Sequence, residues 1–190
     1  MERHILDDDK IKNAIAYIAK KHKAATGHDP YSMFMFKCLA LLDFECVKRY
    51  GEPSLNLTYD GLERGPVPAE IYDSKKPYRN DMVTMHPAAP RDGHATYKFI
   101  ASNKKVNMDL FSKAEIKIMD SISEEFSKPD KEALQRIIDA THERILAWKI
   151  ATEKNPSKRV KIDYRDQIAG EPDDPRYEAY FLYRRFACND

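Results

Sequence analysis

The chain of 190 residues carries 32 Lys and Arg against 31 Asp and Glu, so its formal net charge is +1. This balance gives the protein as a whole no general attraction to nucleic acid or to acidic membranes. With 42% hydrophobic and 33% charged residues, the chain is expected to fold as one globular domain, with or without an appendage, and not to be disordered.

The N-terminus and the cysteines predict a cytoplasmic protein. The first ten residues, MERHILDDDK, are acidic and lack the apolar core of a secretion signal. The longest apolar-rich run, residues 33–42, is too short to span a bilayer. Cys38, Cys46 and Cys188 form no C-x-x-C pair, which argues against a disulfide framework or a zinc knuckle and fits a reducing compartment.

Two helices are predicted in the first 51 residues. An amphipathic helix ends at Gly27 and has one apolar stripe, formed by Ile11, Ile15 and Ile18. The segment of about residues 31–50, with Asp29 or Ser32 as its start, is apolar on nearly every side and ends at Gly51. Such a helix belongs in the middle of a domain, so it is predicted to be the buried central helix.

Strand and turn patterns follow the central helix. Residues 54–61 and 94–102 alternate in polarity, and these two short strands are expected to pair as a small ribbon. The stretch Gly65–Pro68 predicts a rigid turn, with Pro68 as the first residue of a short helix. Residues 75–93 contain three prolines and no clear period, which predicts a long loop or an insertion.

The following segments predict three helices. Ser112 and Glu115 form the S-x-x-E pattern of a capping box at a helix start. Residues 128–140 form the next amphipathic helix. Thr141 is then expected to cap a third helix, over residues 142–154.

Two C-terminal segments suggest binding. Residues 154–165 contain five basic residues against Asp163, a net +4 that could contact nucleic acid, although such runs are commonly only solvated. The last helix, over residues 176–187, is rich in residue types that dominate protein interfaces. It either binds a partner or packs on its own core. Its candidate partner-binding residues are Tyr177, Tyr180, Phe181, Tyr183, Arg184 and Arg185.

No motif for catalysis, for a cofactor or for a metal occurs, so no residue is assigned to any of these roles. The histidines would be metal ligands only if the fold assembled His22, His28, His86, His94 and His142. Cys38 and Cys46 are expected to be core thiols. Lys37 and Asp43 are charges in an apolar helix, and an ion pair from Lys37 to another segment is the expected arrangement. An enzyme using His142 with Glu143 is the remaining alternative.

Four short motifs in a fixed order resemble the Panacea domain, or SocA-like antitoxin, family. The resemblance covers roughly residues 10–151. It departs from the usual pattern at Asp43, where an aromatic residue is usual, in one extra residue between the motif His and Trp, and in a longer segment at residues 75–93. The matching residues are Lys37, Leu41, Leu42 and Phe44, then Gly65, Pro66, Val67 and Pro68, then Ser112 and Glu115, then Thr141, His142 and Trp148.

The patterns and the resemblance together imply a mainly α (α+β) fold. A compact helical domain, residues 1–151, surrounds the central helix and carries a small two-stranded β-ribbon. Residues 152–190 form a basic linker and an appended C-terminal helix, in the same domain or beside it.

The function implied by the resemblance is that of a phage- or mobile-element-associated antitoxin without catalytic activity or cofactor. It binds a cognate protein toxin, encoded by an adjacent gene, and at least one type of member delivers its toxin to a cytoplasmic protease. Partner choice is expected in residues 75–93 and in the C-terminal helix. The alternative is a nucleic-acid-binding regulator of a phage or mobile element.

Overall fold

A computed structural model describes residues 5–74, 76–91, 94–153, 158–168 and 173–187. Its fold is mainly helical with a small β part, as predicted. The helices are α1 (Ile5–Thr26), α2 (Ser32–Tyr50), α3 (Ala69–Tyr72), α4 (Lys113–Phe126), α5 (Ala133–Arg144), α6 (Leu146–Glu153) and α7 (Pro175–Ala187). The strands are β1 (Tyr59–Leu62), β2 (Gly65–Pro68), β3 (Val83–Arg91), β4 (His94–Ala101) and β5 (Val160–Lys161), and 3₁₀ turns lie at Met108–Leu110 and Tyr164–Gln167.

Helix α2 lies in the middle of the domain, as predicted. It contacts α1, α4, α5, α7, β2 and β4, so its neighbours surround it. Every residue from 34 to 44 is therefore buried, including Lys37 and Asp43. Gly51 ends the helix in the left-handed conformation, with φ of 80°. The isoleucine stripe of α1 also lies in the core, and Gly27 follows the end of α1 with φ of 77°.

Residues Gly65–Pro68 form a strand, not the predicted turn. β2 pairs antiparallel with β1, from Tyr59 opposite Pro68 to Leu62 opposite Gly65, and β5 pairs with the other side of β1. The two prolines are tolerated because β2 is an edge strand of this sheet. Pro68 is the cap residue of α3 and precedes its first residue, so the predicted short helix is present but begins one residue later.

Residues 54–58 are not a strand, although the residues predicted to share an apolar side are indeed buried. Leu55, Leu57 and Tyr59 are all buried. The N–H groups of Leu55 and Leu57 donate to the Asp43 carboxylate, at 2.5 Å and 3.4 Å, so they are not available to a neighbouring strand. Between them Asn56 takes a positive φ of 51°. The strand therefore begins only at Tyr59.

The predicted ribbon is present, but β4 pairs with a different strand. Its partner is β3, from Val83 opposite Ala101 to Arg91 opposite His94. The prediction of a loop is thus wrong for residues 83–91. Both strands of a two-stranded ribbon are edges, which permits Pro87 and Pro90, and the register shifts before Arg91. Those prolines concealed the alternation of buried and exposed residues at the start of the strand.

The helix starts in the C-terminal half agree only in part with the prediction. The capping box is present, since the Ser112 hydroxyl accepts from the Glu115 N–H and the Glu115 carboxylate accepts from the Ser112 N–H. Thr141, however, does not cap a helix. It lies within α5, where its hydroxyl donates to the Ile138 carbonyl at 2.7 Å, and α6 begins only at Leu146.

Residues 158–168 pack on the domain and are not an open linker. β5 extends the sheet, and the Tyr164 hydroxyl lies 3.0 Å from the Asp43 carboxylate and 2.7 Å from the Leu57 carbonyl. The Gln167 side-chain amide donates to the Arg144 carbonyl and accepts from the Ala147 N–H. Residues 154–157 of the predicted linker lie outside the described residues. The predicted domain boundary after residue 151 stays a prediction.

We predict that Asp43→Ala lowers the free energy of unfolding by about 3 kcal/mol, because it leaves two buried N–H groups without their acceptor and removes a hydrogen bond from two tyrosine hydroxyls. Asp43→Asn retains one oxygen acceptor and should lose about half as much. Urea unfolding measures both values. The control is Asp139→Ala, at an exposed position of α5, which should change stability by less than about 0.5 kcal/mol. Equal losses at both positions would contradict a buried anchoring role for Asp43.

Candidate functional site

Residues from three of the four sequence motifs meet at one place between α2, β2, α5 and α6. We call this group the lysine junction, and it consists of Lys37, Gly65, Pro66, Thr141, His142 and Trp148. Gly65 lies at its centre, since a Cβ atom built on this glycine would lie 3.1 Å from Lys37 Nζ and 2.9 Å from Thr141 Oγ1. The same point lies 3.3 Å from His142 Nε2.

Lys37 connects the central helix to the edge strand. Its side chain is fully buried, and Nζ donates to the Pro66 carbonyl at 2.9 Å. The expected ion pair is thus replaced by a bond to a backbone oxygen. Burial lowers the pKa of the Lys37 ammonium from 10.5 to about 7, and the charge of Arg64 contributes in the same direction. Burial therefore favours the uncharged amine of Lys37 much more than exposure to solvent would.

Gly65 is required here for two reasons. Its φ of 94° is a conformation that residues with a side chain rarely adopt. The Cβ atom of a side chain would also clash with Thr141 Oγ1, since it would lie closer than ordinary van der Waals contact. The glycine thus lets the main chain of β2 approach α5 closely.

His142 and Trp148 close the junction on its outer side. Their rings stack in parallel, with centroids 4.1 Å apart and an interplanar angle of 2°. Trp148 Nε1 donates to the Leu62 carbonyl at 3.1 Å, which ties α6 to the end of β1. His142 Nε2 is buried and, among the described residues, makes no hydrogen bond. Burial and the charge of Lys37 lower the pKa of His142, which favours the neutral imidazole.

The geometry of the junction suits a structural role. Its polar atoms are enclosed, and its cationic groups are shifted toward their neutral forms by burial. Glu143, the suggested partner of His142 in an enzyme, is exposed on α5, whereas His142 Nε2 is buried toward Gly65. The junction therefore holds β2 against α2 and α5.

The other motif residues lie elsewhere. Leu41, Leu42, Phe44, Val67 and Pro68 are buried in the core.

The capping-box motif is a second, separate group. Besides its capping bond, the Glu115 carboxylate accepts hydrogen bonds from Lys10 Nζ and from the Ser54 hydroxyl, each at 2.6 Å. This group joins the start of α4 to α1 and to residue 54. The structure thus brings three of the motifs together and leaves the Ser112–Glu115 pair apart.

Helix α7 divides the predicted partner-binding residues between two faces. Tyr180 is 2% exposed and packs with Val47 and Ile168, so it holds the helix to the domain and is not available to a partner. Tyr177 is half-buried, and its hydroxyl donates to the Ile168 carbonyl. The sequence analysis treated its four aromatic candidates on this helix alike, because residue type does not show which side of a helix is covered.

The outer face of α7 carries large exposed side chains. We define it as Glu178, Phe181, Leu182, Arg185 and Phe186, all of which are exposed. Phe181 is 57% exposed, Leu182 48% and Phe186 78%. Leu182 and Phe186 were missed as candidates, although their spacing of four residues on a helix was a usable signal. Tyr183 is half-buried and Arg184 is exposed and lies beside the Tyr180 hydroxyl.

The basic segment at residues 154–165 has most of its described charges paired within the protein. Arg159 contacts both Asp60 and Asp73, and Lys161 contacts Asp60 at 2.9 Å. Arg165 pairs with Asp163. Since Asp163 is already counted in the net +4, Asp60 and Asp73 offset two of the four net charges on which the nucleic-acid alternative depended.

The histidines and cysteines in the described part of the chain are not gathered in one site. His22 and His28 line a cleft of about 500 Å³ beside Phe34 and residues 128–134, and burial lowers the pKa of His22 to about 4. His86 and His94 lie in the ribbon, and His142 lies in the lysine junction. Among the described residues, no group of three His, Cys, Asp or Glu is suitable for a metal ion. Cys38 and Cys46 are buried, and burial raises the pKa of both thiols, as expected for core residues.

The family described as antitoxin SocA-like, Panacea domain, matches residues 35–149, more than half of the chain. The chain belongs to this family. The matched residues run from the first turn of α2 to the first half of α6 and include the whole lysine junction, while α1, β5 and α7 lie outside them. The match is narrower than the expected span of residues 10–151.

No curated protein and no solved structure gives a significant match. None of the helices in the described ranges has both the length and the apolar character needed to cross a bilayer.

Substitution of Gly65 tests the close approach at the centre of the Panacea domain. We predict that Gly65→Ala lowers the free energy of unfolding by about 3 kcal/mol, from backbone strain and from the contact with Thr141. Gly27→Ala is the matched control, because Gly27 also has a positive φ but no atom lies within 4 Å of an added Cβ. It should lose only about 1 kcal/mol, the strain alone. Thermal or urea unfolding that gives the same loss for both variants would contradict the crowded junction.

The depressed pKa of Lys37 predicts a specific pH dependence of stability. Folding lowers this pKa from 10.5 to about 7, so the unfolded chain binds more protons between these pH values. The free energy of unfolding should therefore rise with pH in this window. Between pH 7 and pH 9 the rise should exceed that of Lys37→Met by about 2 kcal/mol. Parallel stability curves for the two proteins would show that Lys37 is charged in the folded state.

Proposed function

We propose that this protein is an antitoxin that neutralises a cognate protein toxin by direct binding in the cytoplasm, without catalysis. The observation that carries the proposal is membership of the SocA-like antitoxin family over residues 35–149. The buried polar contacts of the lysine junction support it, since Lys37 and Thr141 hold the domain together and are not exposed to a partner.

We assign toxin contact to the outer face of α7. This face combines two exposed phenylalanines and Leu182 with Arg185, and aromatic residues and arginine are enriched in protein interfaces. Exposed apolar clusters on a globular domain commonly mark interaction sites. Helix α7 also lies outside the family-matched residues, as a partner-specific element would. Residues 83–91 of the ribbon, which include the exposed His86, are the second candidate surface.

Co-expression with the product of an adjacent gene tests the proposal. We expect the neighbouring protein to arrest growth when expressed alone, and we expect this chain to restore growth and to co-purify with it. A neighbour that is harmless, or one that is toxic but neither bound nor rescued by this chain, would contradict the antitoxin assignment for that pair. Measuring the lifetime of the toxin in cells with and without their cytoplasmic proteases separates plain binding from delivery to a protease.

Charge substitution on α7 tests the assigned surface. We predict that Phe181→Asp weakens toxin binding at least about 100-fold, because it places a carboxylate in an apolar contact. Folding should be unchanged, since Phe181 is exposed and packs little on the domain. Lys117→Glu, at an exposed position of α4, is the matched control and should bind as tightly as the unmodified chain. Unchanged binding by Phe181→Asp in a calorimetric titration would move the toxin contact to another surface.

A further inference from the structure

The outer face of α7 has a charge pattern that complements itself. Glu178 lies near its beginning and Arg185 near its end, and both are exposed. Seven residues separate them, which is close to two helical turns, so the two side chains lie on the same side and roughly 10 Å apart along the axis. The exposed Phe181 and Leu182 lie midway between them.

A two-fold axis through this midpoint brings unlike groups together. If two α7 helices pack antiparallel about a point between Phe181 and Leu182, each Glu178 lies level with Arg185 of the second copy. Phe181 of each copy then lies level with Leu182 of the other, and Phe186 covers the beginning of the other helix. Each end of the contact then has one ion pair, and its centre is apolar. This arrangement is that of a small isologous interface.

We propose that two copies of this chain associate through the outer faces of their α7 helices, antiparallel about this axis. The inward side of the helix is compatible with such a contact, because Tyr180 and Tyr177 fix α7 to the rest of the domain and leave the outer face presented as a unit. Pairing covers the exposed Phe181, Leu182 and Phe186 in both copies.

The expected dimer is weak and reversible. Each α7 has 13 residues, so the contact is smaller than a standard protein interface. We expect a dissociation constant on the order of 10 μM. If the proposed function is correct, the toxin uses the same face, and self-association and toxin binding are mutually exclusive. Only this last consequence depends on the proposed function.

Sedimentation velocity of the full chain alone, over about 1 to 200 μM, tests the dimer. We expect a concentration-dependent shift from monomer to dimer. Glu178→Arg and Arg185→Glu should each raise the dissociation constant at least about tenfold, because each places like charges opposite one another. The double variant E178R/R185E restores opposite charges and should return to within about threefold of the unmodified chain. Lys117→Glu on α4 is the control and should leave the dimer unchanged.

Two results would overturn the proposal. The first is a monomer throughout the concentration range. The second is a dimer that Glu178→Arg and Leu182→Asp leave intact, since this would place the contact elsewhere. Because no toxin is present, a failed growth assay with the neighbouring gene leaves this test unaffected, and a monomeric chain leaves the antitoxin assignment unaffected.

Discussion

The hydrogen bond from Lys37 to the Pro66 carbonyl is the contact on which the centre of the domain depends. It joins the one helix that touches most of the others to an edge strand made of glycine, proline and valine. With that strand in place, Gly65 can lie against α5, and the end of β1 can accept from Trp148. This bond thus supplements the direct packing of α2 on β2 and α5, and it helps to position β1 and α6.

Asp43 performs the complementary task six residues further along the same helix. Lys37 offers donors and binds a carbonyl, whereas Asp43 offers acceptors and binds the N–H groups of Leu55 and Leu57. Burial raises the pKa of Asp43 to about 6, and the hydrogen bonds from the main chain and from the tyrosines oppose this rise. Burial thus moves the pKa of both groups in the direction that favours the uncharged form. Because burying such groups costs free energy, their main effect is to fix the path of residues 55–66 and not to add net stability.

The sequence predicted features whose signals are local. The central helix, the capping box and the last helix each depend on spacing within a few residues, and all three are present. Strand pairing was predicted incorrectly, because β4 joins a strand whose prolines conceal its alternation. Thr141 looked like a cap, but α5 continues through it. The bond from Lys37 to Pro66 was beyond prediction, since sequence pattern does not show which of several distant backbone oxygens a buried amine will reach.

The difference between buried and exposed residues explains why a family motif and a binding site need not coincide. Lys37 and Thr141 are fully buried at the lysine junction, so they cannot touch a partner protein without unfolding. His142 and Trp148 are half-buried on its outer side. These residues determine how α2, β2 and α5 pack together. Helix α7 packs on this group of elements through Tyr180 and Val47. The exposed side chains of α7 can then differ between relatives without disturbing the junction, because none of them contributes to it. A shared interior with an exchangeable outer helix would let one fold serve many partners.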